Sequence, residues 1–214
     1  MELKTIKANF LGDSITEGVG TSDWAVKPFH QLIAKKYGMA AARNYGIGGT
    51  RFAEQRVPSE KPRWDLNFCS RVAEMDDDAS LIVVFGGTND FGHGDAPMGC
   101  FEDRTPETFF GACHCLMTSI INKFPEARIV FMTPLHRESE DNKNVNGLTL
   151  SCYVDVIKQV AAYYSIPVLD LWSVSGIQPR VGILKEKYCP DGLHPNDAGH
   201  ERMAAVIGAY LENL

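Results

Sequence analysis

No stretch of this 214-residue chain approaches the roughly 20 apolar residues that a membrane-spanning helix needs. No run of basic residues occurs either. Asp and Glu number 27 against 21 Lys and Arg, for a net charge of −6. That balance argues against nucleic acid or an anionic membrane surface as partner, since both attract basic patches. The six cysteines (Cys69, Cys100, Cys113, Cys115, Cys152 and Cys189) include no Cys-x-x-Cys pair. A chain of this size does not need bridges to fold, so reduced thiols are expected. Cys113-His114-Cys115, with His93 and Asp95 upstream, lacks zinc-ligand spacing. Its two cysteines would also fall on different helix faces, so no metal is expected.

Other absences narrow the chemistry. His200-Glu201 lacks the second histidine of H-E-x-x-H, and no Gly-Lys-Ser/Thr phosphate loop is present. The nucleophile elbow G-x-S-x-G is missing: Ser14 has Gly12 before it but Thr16 after it. The N-terminus, Met1-Glu2-Leu3-Lys4-Thr5-Ile6-Lys7, is mixed and charged, with no apolar core of signal-peptide length before Ser14. A soluble, cytoplasmic protein without a membrane span is expected.

The remaining composition, 44% hydrophobic and 22% charged, is that of a globular chain long enough to bury a sizeable core. Short apolar runs alternate with longer periodic ones. Residues 6–11, 42–45, 81–85, 128–132 and 166–169 read as strands. Residues 28–37, 66–75, 148–164 and 195–211 read as helices, as does a stretch opened by Thr105-Pro106-Glu107 and running to Phe124. Strands alternating with helices predict a parallel sheet covered on both faces. With no repeat, low-complexity tract or linker, one doubly wound domain over residues 1–214 is the simplest organisation.

In such a sheet the carboxyl ends of the strands share one edge, where ligands bind. Four polar stretches fall at predicted strand ends or at a helix entry. They are Gly12-Asp13-Ser14-Ile15-Thr16-Glu17-Gly18, Asn44-Tyr45-Gly46-Ile47-Gly48-Gly49-Thr50, Gly86-Gly87-Thr88-Asn89-Asp90 and Asp191-Gly192-Leu193-His194-Pro195. Each has an ordinary structural account. Ser14-Ile15-Thr16-Glu17 fits a capping box, Gly48-Gly49 relief of crowding, Asn89-Asp90 and Asp191-Gly192 turn chemistry, and His194-Pro195 entry into a helix. Together they supply what acyl transfer needs. Ser14 is a nucleophile that requires a base, and His194 is that base. Asp191, three residues away across a turn at Gly192, orients the imidazole. The backbone N–H groups of Ser14 and Gly49 and the side-chain amide of Asn89 are donors for an oxyanion.

This set resembles the SGNH/GDSL hydrolase family, whose four blocks supply serine, glycine, asparagine and histidine. Gly12-Asp13-Ser14-Ile15 carries isoleucine where the name motif has leucine. Gly49 takes the place of the oxyanion glycine and Asn89 that of the asparagine donor. The resemblance runs from residue 12 to 195. It implies an α/β fold, a three-layer α/β/α sandwich with about five parallel strands in flavodoxin-like order. It also implies hydrolysis of esters or thioesters without a cofactor.

Loops after the strands carry Trp24, Arg51, Trp64, Phe91, His93 and Trp172. Aromatic and polar groups together suit a small acyl chain on a polar alcohol, such as an acetylated sugar. A lysophospholipase or thioesterase is the alternative among enzymes, and Cys189 the alternative nucleophile for His194. Outside enzymes, the alternatives are a silent binding protein of the same fold and an oligomeric scaffold using the 105–124 helix. The oligomeric state is not legible.

Overall fold

A computed structural model describes residues 2–214; Met1, part of the N-terminal reading above, lies outside them. Five strands form one parallel sheet: β1 (Lys7–Gly12), β2 (Ala41–Gly46), β3 (Leu81–Phe85), β4 (Arg128–Met132) and β5 (Val168–Leu169). Their order is β2-β1-β3-β4-β5, the flavodoxin-like order. Gly12 pairs with Gly46 on one side and Phe85 on the other, so the first three strands end flush. Three chain segments therefore leave the sheet at the same level.

The helices are α1 (Ser14–Glu17), α2 (Phe29–Tyr37), α3 (Phe68–Arg71), α4 (Thr88–His93), α5 (Phe109–Lys123), α6 (Leu150–Tyr163), α7 (Leu171–Val174), α8 (Gly182–Tyr188) and α9 (Asp197–Glu212). Strand side chains alternate between two cores, as a sheet covered on both faces requires. Ile82, Val84 and Phe131 meet α5 and α6, while Leu81, Val83, Phe85, Val130 and Met132 meet α2 and α9. The α5 stripe of Phe109, Cys113, Leu116, Met117 and Ile120 has no exposed surface and is spent on the core.

Several boundaries differ from the pattern-based reading. The fifth helix opens at Phe109, because Thr108 is the residue whose hydroxyl accepts the Gly111 N–H, at 3.1 Å. The last helix opens at Asp197, with Asn196 as its cap, leaving Pro195 in the preceding loop. The helix expected over 66–75 is broken into α3 and a single 3-10 turn, Val72–Glu74. Helices α4, α7 and α8 carried no periodic signal of useful length.

The layer of α2 and α9 holds two buried histidines. His30 donates from Nε2 to the Thr16 carbonyl at 3.0 Å, and His200 Nδ1 accepts the Phe29 N–H at 3.1 Å. Burial lowers both to about 4, so both stay neutral in the folded protein. The unfolded chain takes up protons near pH 6.5 that the folded state refuses. Each histidine therefore withdraws stability as pH falls from about 6.5 to about 4. For His30→Gln, the gap in unfolding free energy to the wild type, followed by urea melts, is expected to shift by up to ~3 kcal/mol across that window and to be flat above pH 7.

Candidate active site

The first site segment begins where β1 ends. Asp13 caps α1 by accepting the Ile15 N–H at 3.0 Å. Ser14 is thus the first helical residue and not the cap. The capping box does not form, because Glu17 is engaged elsewhere: its Oε2 accepts the Gly48 N–H at 2.7 Å and its Oε1 the Arg63 guanidinium at 2.6 Å. The Ser14 hydroxyl instead meets His194 Nε2 at 3.1 Å.

His194 is presented by the Asp191–Pro195 loop. Gly192 takes a left-handed φ of 79°, which a residue without Cβ adopts at little cost. Asp191 Oδ1 then accepts the N–H of Leu193 at 2.8 Å and of His194 at 2.6 Å. Its Oδ2 accepts His194 Nδ1–H at 2.7 Å. Burial pulls the Asp191 carboxyl upward, but the hydrogen bonds from His194 and Leu193 outweigh it and hold the group below its ordinary value. With Nδ1 donating, Nε2 keeps its lone pair toward the serine.

The second segment leaves β2. Gly49 has φ 81° and lies against Trp64, so a Cβ there would run into the indole. Gly48 N–H is occupied by Glu17. Among the described residues, no acceptor pairs with the backbone N–H of Ser14 or of Gly49. The third segment leaves β3. Gly87, at φ 99°, turns the chain into α4, so Asn89 sits in a helix's first turn. Its Nδ2 donates to the Thr50 carbonyl at 3.0 Å, which ties α4 to the Gly49–Thr50 turn.

Buried ionisable side chains hold these segments together. Arg71 donates to Tyr45 O (2.9 Å), Gly12 O (3.0 Å) and Thr50 Oγ1 (3.1 Å), joining the ends of β2 and β1 to the glycine turn. Burial lowers Arg71 to about 10, so it is a cation at neutral pH. Asp90 accepts the N–H of Phe52 at 3.0 Å and of Ala53 at 2.9 Å. Burial raises both Asp13 and Asp90 to about 7. Sequence reasoning missed Arg71 altogether. It sits in a short helix, and nothing local marks its partners, the nearest of which is 21 residues away.

The result is a cleft of about 460 Å3 lined by Ser14, Gly49, Asn89 and His194, with Trp24, Trp64 and His93 on its walls. Of the other pocket candidates, Arg51 and Phe91 are buried behind the wall, and Trp172 packs elsewhere, on His136. Cys189 is fully buried, and burial pushes its thiol up to about 12. It is therefore a poor nucleophile. Among the described residues, no group of three or more His, Cys, Asp or Glu is placed to hold a metal. No helix among the described residues is long and apolar enough to cross a membrane.

A hydroxyl, an imidazole and a carboxylate in hydrogen-bonded series, beside unpaired N–H groups on an α/β/α sheet edge, form an arrangement suited to acyl-group hydrolysis. The profile of the GDSL-like lipase/acylhydrolase family matches residues 10–202, and the chain belongs to that family. A GDSL lipase of Mycobacterium tuberculosis is 28% identical over 210 residues, covering 94% of this chain and 79% of that protein. A solved structure from Lactobacillus plantarum is 30% identical, covers 98% of each chain and superposes with a TM-score of 0.84. A lipase/acylhydrolase from Enterococcus faecalis, 21% identical, shares the fold with a TM-score of 0.68 over 98% of this chain and 96% of that one.

Arg51 is the internal brace of the cleft wall. It is 1% exposed and donates from Nη2 to Ser59 Oγ (3.0 Å), Trp64 O (3.1 Å) and Asp65 Oδ1 (2.6 Å). Its Nη1 donates to His93 Nδ1 at 2.7 Å. Burial, with Arg51 alongside, lowers His93 to about 4 and keeps it a neutral acceptor. Arg51→Met takes the donor from the Trp64 carbonyl and from His93, while Asp65 keeps its two bonds from Ser59, and is expected to cost ~1–3 kcal/mol. A thermal melt is expected to show this as a fall in Tm of roughly 5 °C.

Proposed function

We propose that this chain is a single SGNH-type domain acting as a serine esterase on short-chain acyl esters, by a two-step acyl-enzyme mechanism. The observation that carries the reading is the series from Ser14 Oγ through His194 to Asp191, at 3.1 and 2.7 Å. Ser14 attacks the ester carbonyl while His194 Nε2 takes its proton. His194 then passes that proton to the leaving alcohol. A water deprotonated by His194 attacks the acyl-serine, and the acid leaves as Ser14 recovers its proton. Asp191 holds the imidazole in the required tautomer and stabilises the imidazolium.

The oxyanion of each tetrahedral intermediate is received by the N–H groups of Ser14 and Gly49 and by the Asn89 amide. Occupation of Gly48 N–H by Glu17 favours Gly49 over its neighbour as the second donor. Asn89 has a further N–H beyond the one given to Thr50. A cleft of about 460 Å3 walled by Trp24 and Trp64 suits a small acyl group on a compact alcohol, an acetylated sugar among them. The six cysteines stand as free thiols, which favours a reducing, cytoplasmic setting.

Hydrolysis of p-nitrophenyl acetate, butyrate and octanoate tests the reading. Ser14→Ala and His194→Ala are each expected to lower kcat by ~10^4-fold or more. Asn89→Ala is expected to cost ~10^2–10^3-fold. Turnover by purified Ser14→Ala near the wild-type rate would remove Ser14 as nucleophile. Absence of turnover on every ester by folded wild type would favour a binding protein.

A further inference from the structure

The charge on the cleft wall is opposite in sign to that of the whole chain. Three charged side chains other than histidine line the cleft: Glu17, Lys61 and Arg63. Both oxygens of Glu17 are already taken, by Gly48 N–H and by Arg63. Arg63 is half exposed, at 52%, and beyond its bond to Glu17 its Nε and Nη1 meet no partner among the described residues. Lys61 is exposed and pairs with no carboxylate among the described residues; its ammonium lies over the Trp64 ring, 4.9 Å from the centroid. One positive charge is therefore in excess at the mouth of this cleft, in a chain of net charge −6.

The two cations are also held in place. Lys61 precedes the 3-10 turn Pro62–Asp65 and Arg63 lies within it; its Asp65 accepts the Ser59 N–H at 2.9 Å and the Arg51 guanidinium at 2.6 Å. Trp64, from the same turn, rests on Gly49. The cations thus share one short, braced segment with the indole that backs the unpaired Gly49 N–H. A guanidinium with free N–H groups beside an ammonium is a receptor for a carboxylate or phosphate.

We infer that the preferred ester carries an anionic oxygen group, a carboxylate or a phosphate, seated between Lys61 and Arg63. The inference rests on the esterase reading and deepens it. The acidic remainder of the surface repels such a substrate, so the cleft mouth draws it in, and added salt weakens the effect.

Two matched pairs test it and separate the sources of the charge. Mono-p-nitrophenyl glutarate against p-nitrophenyl pentanoate places the anion on the acyl side. 3-Acetoxypropyl phosphate against 3-acetoxypropan-1-ol places it on the alcohol side. In at least one pair, kcat/KM is expected to favour the anion by about tenfold, the size of one charge-assisted hydrogen bond, expressed mainly in KM. Lys61→Gln is expected to shrink that ratio and Lys61→Glu to invert it. A ratio near one in both pairs, or one that neither variant moves, overturns the inference while leaving the esterase intact. Calorimetric binding of the same esters to Ser14→Ala reads the charge preference without turnover. If every ester resists the wild type, the esterase reading falls, and this binding alone decides the charge preference.

Discussion

A buried guanidinium at the end of the sheet is the constraint on which the site geometry depends. The flush ends of β1 and β2 turn the carbonyl groups of Gly12 and Tyr45 toward the protein interior. Gly12 O accepts the Ile47 N–H at 3.1 Å and has a second lone pair to fill. Arg71 donates to both carbonyls and to Thr50 Oγ1. Because one rigid, planar fork satisfies three acceptors, the turn carrying Ser14 and the turn carrying Gly49 cannot move independently. Asp90 does the same for the next pair of segments, accepting two N–H groups of the chain that follows Gly49–Thr50. The side chains proposed to do chemistry are few, and the buried Arg71 and Asp90 behind them set their spacing.

The layers of the fold were legible because short β-branched runs and periodic apolar stripes are local signals. Leu81–Phe85 and Arg128–Met132 were read with their observed bounds, since the former, fully buried, is a continuous apolar run and the latter is apolar after its exposed arginine. The polar stretches at the strand ends were legible as a set, and the structure brings Ser14, Gly49, Asn89 and His194 to one cleft. Other features were not legible, for a common reason: they depend on residues far apart in the chain. Asn89 reads as a turn residue and sits in α4, because a left-handed Gly87 and packing against α6 make a helix of six residues worthwhile. The capping box at Ser14 is satisfied on paper and unformed in the molecule, because Glu17 has better partners 31 and 46 residues away.

Among the loop residues expected to line a pocket, the division into wall and brace also escaped the sequence. Trp24, Trp64 and His93 face the cleft, whereas Arg51 lies behind it. An arginine at 1% exposure is unusual, and its environment explains it: a carboxylate, a hydroxyl, a carbonyl and a neutral imidazole surround the guanidinium. A buried arginine with this many partners fixes loop geometry more than it adds net stability.

The distance between Ser14 and His194 joins residues 180 apart in sequence and is set by neither residue's own loop. The Asp191–Pro195 loop is rigid in itself, since one carboxylate closes it by three hydrogen bonds. Its placement comes from three ties between the chain after α1 and the start of α9. The Ser22 N–H and hydroxyl both donate to Asp197, at 2.8 and 2.7 Å. Gly20, at φ 97°, lets the Pro195 carbonyl approach closer than any side chain would allow. The Phe29 N–H, orphaned at the start of α2, is received by His200 from within α9. His200, one of the two buried histidines that make the α2–α9 layer sensitive to acid, is therefore also one of the points that hold His194 beside Ser14. A substitution in that layer can change the geometry of the site without touching the cleft.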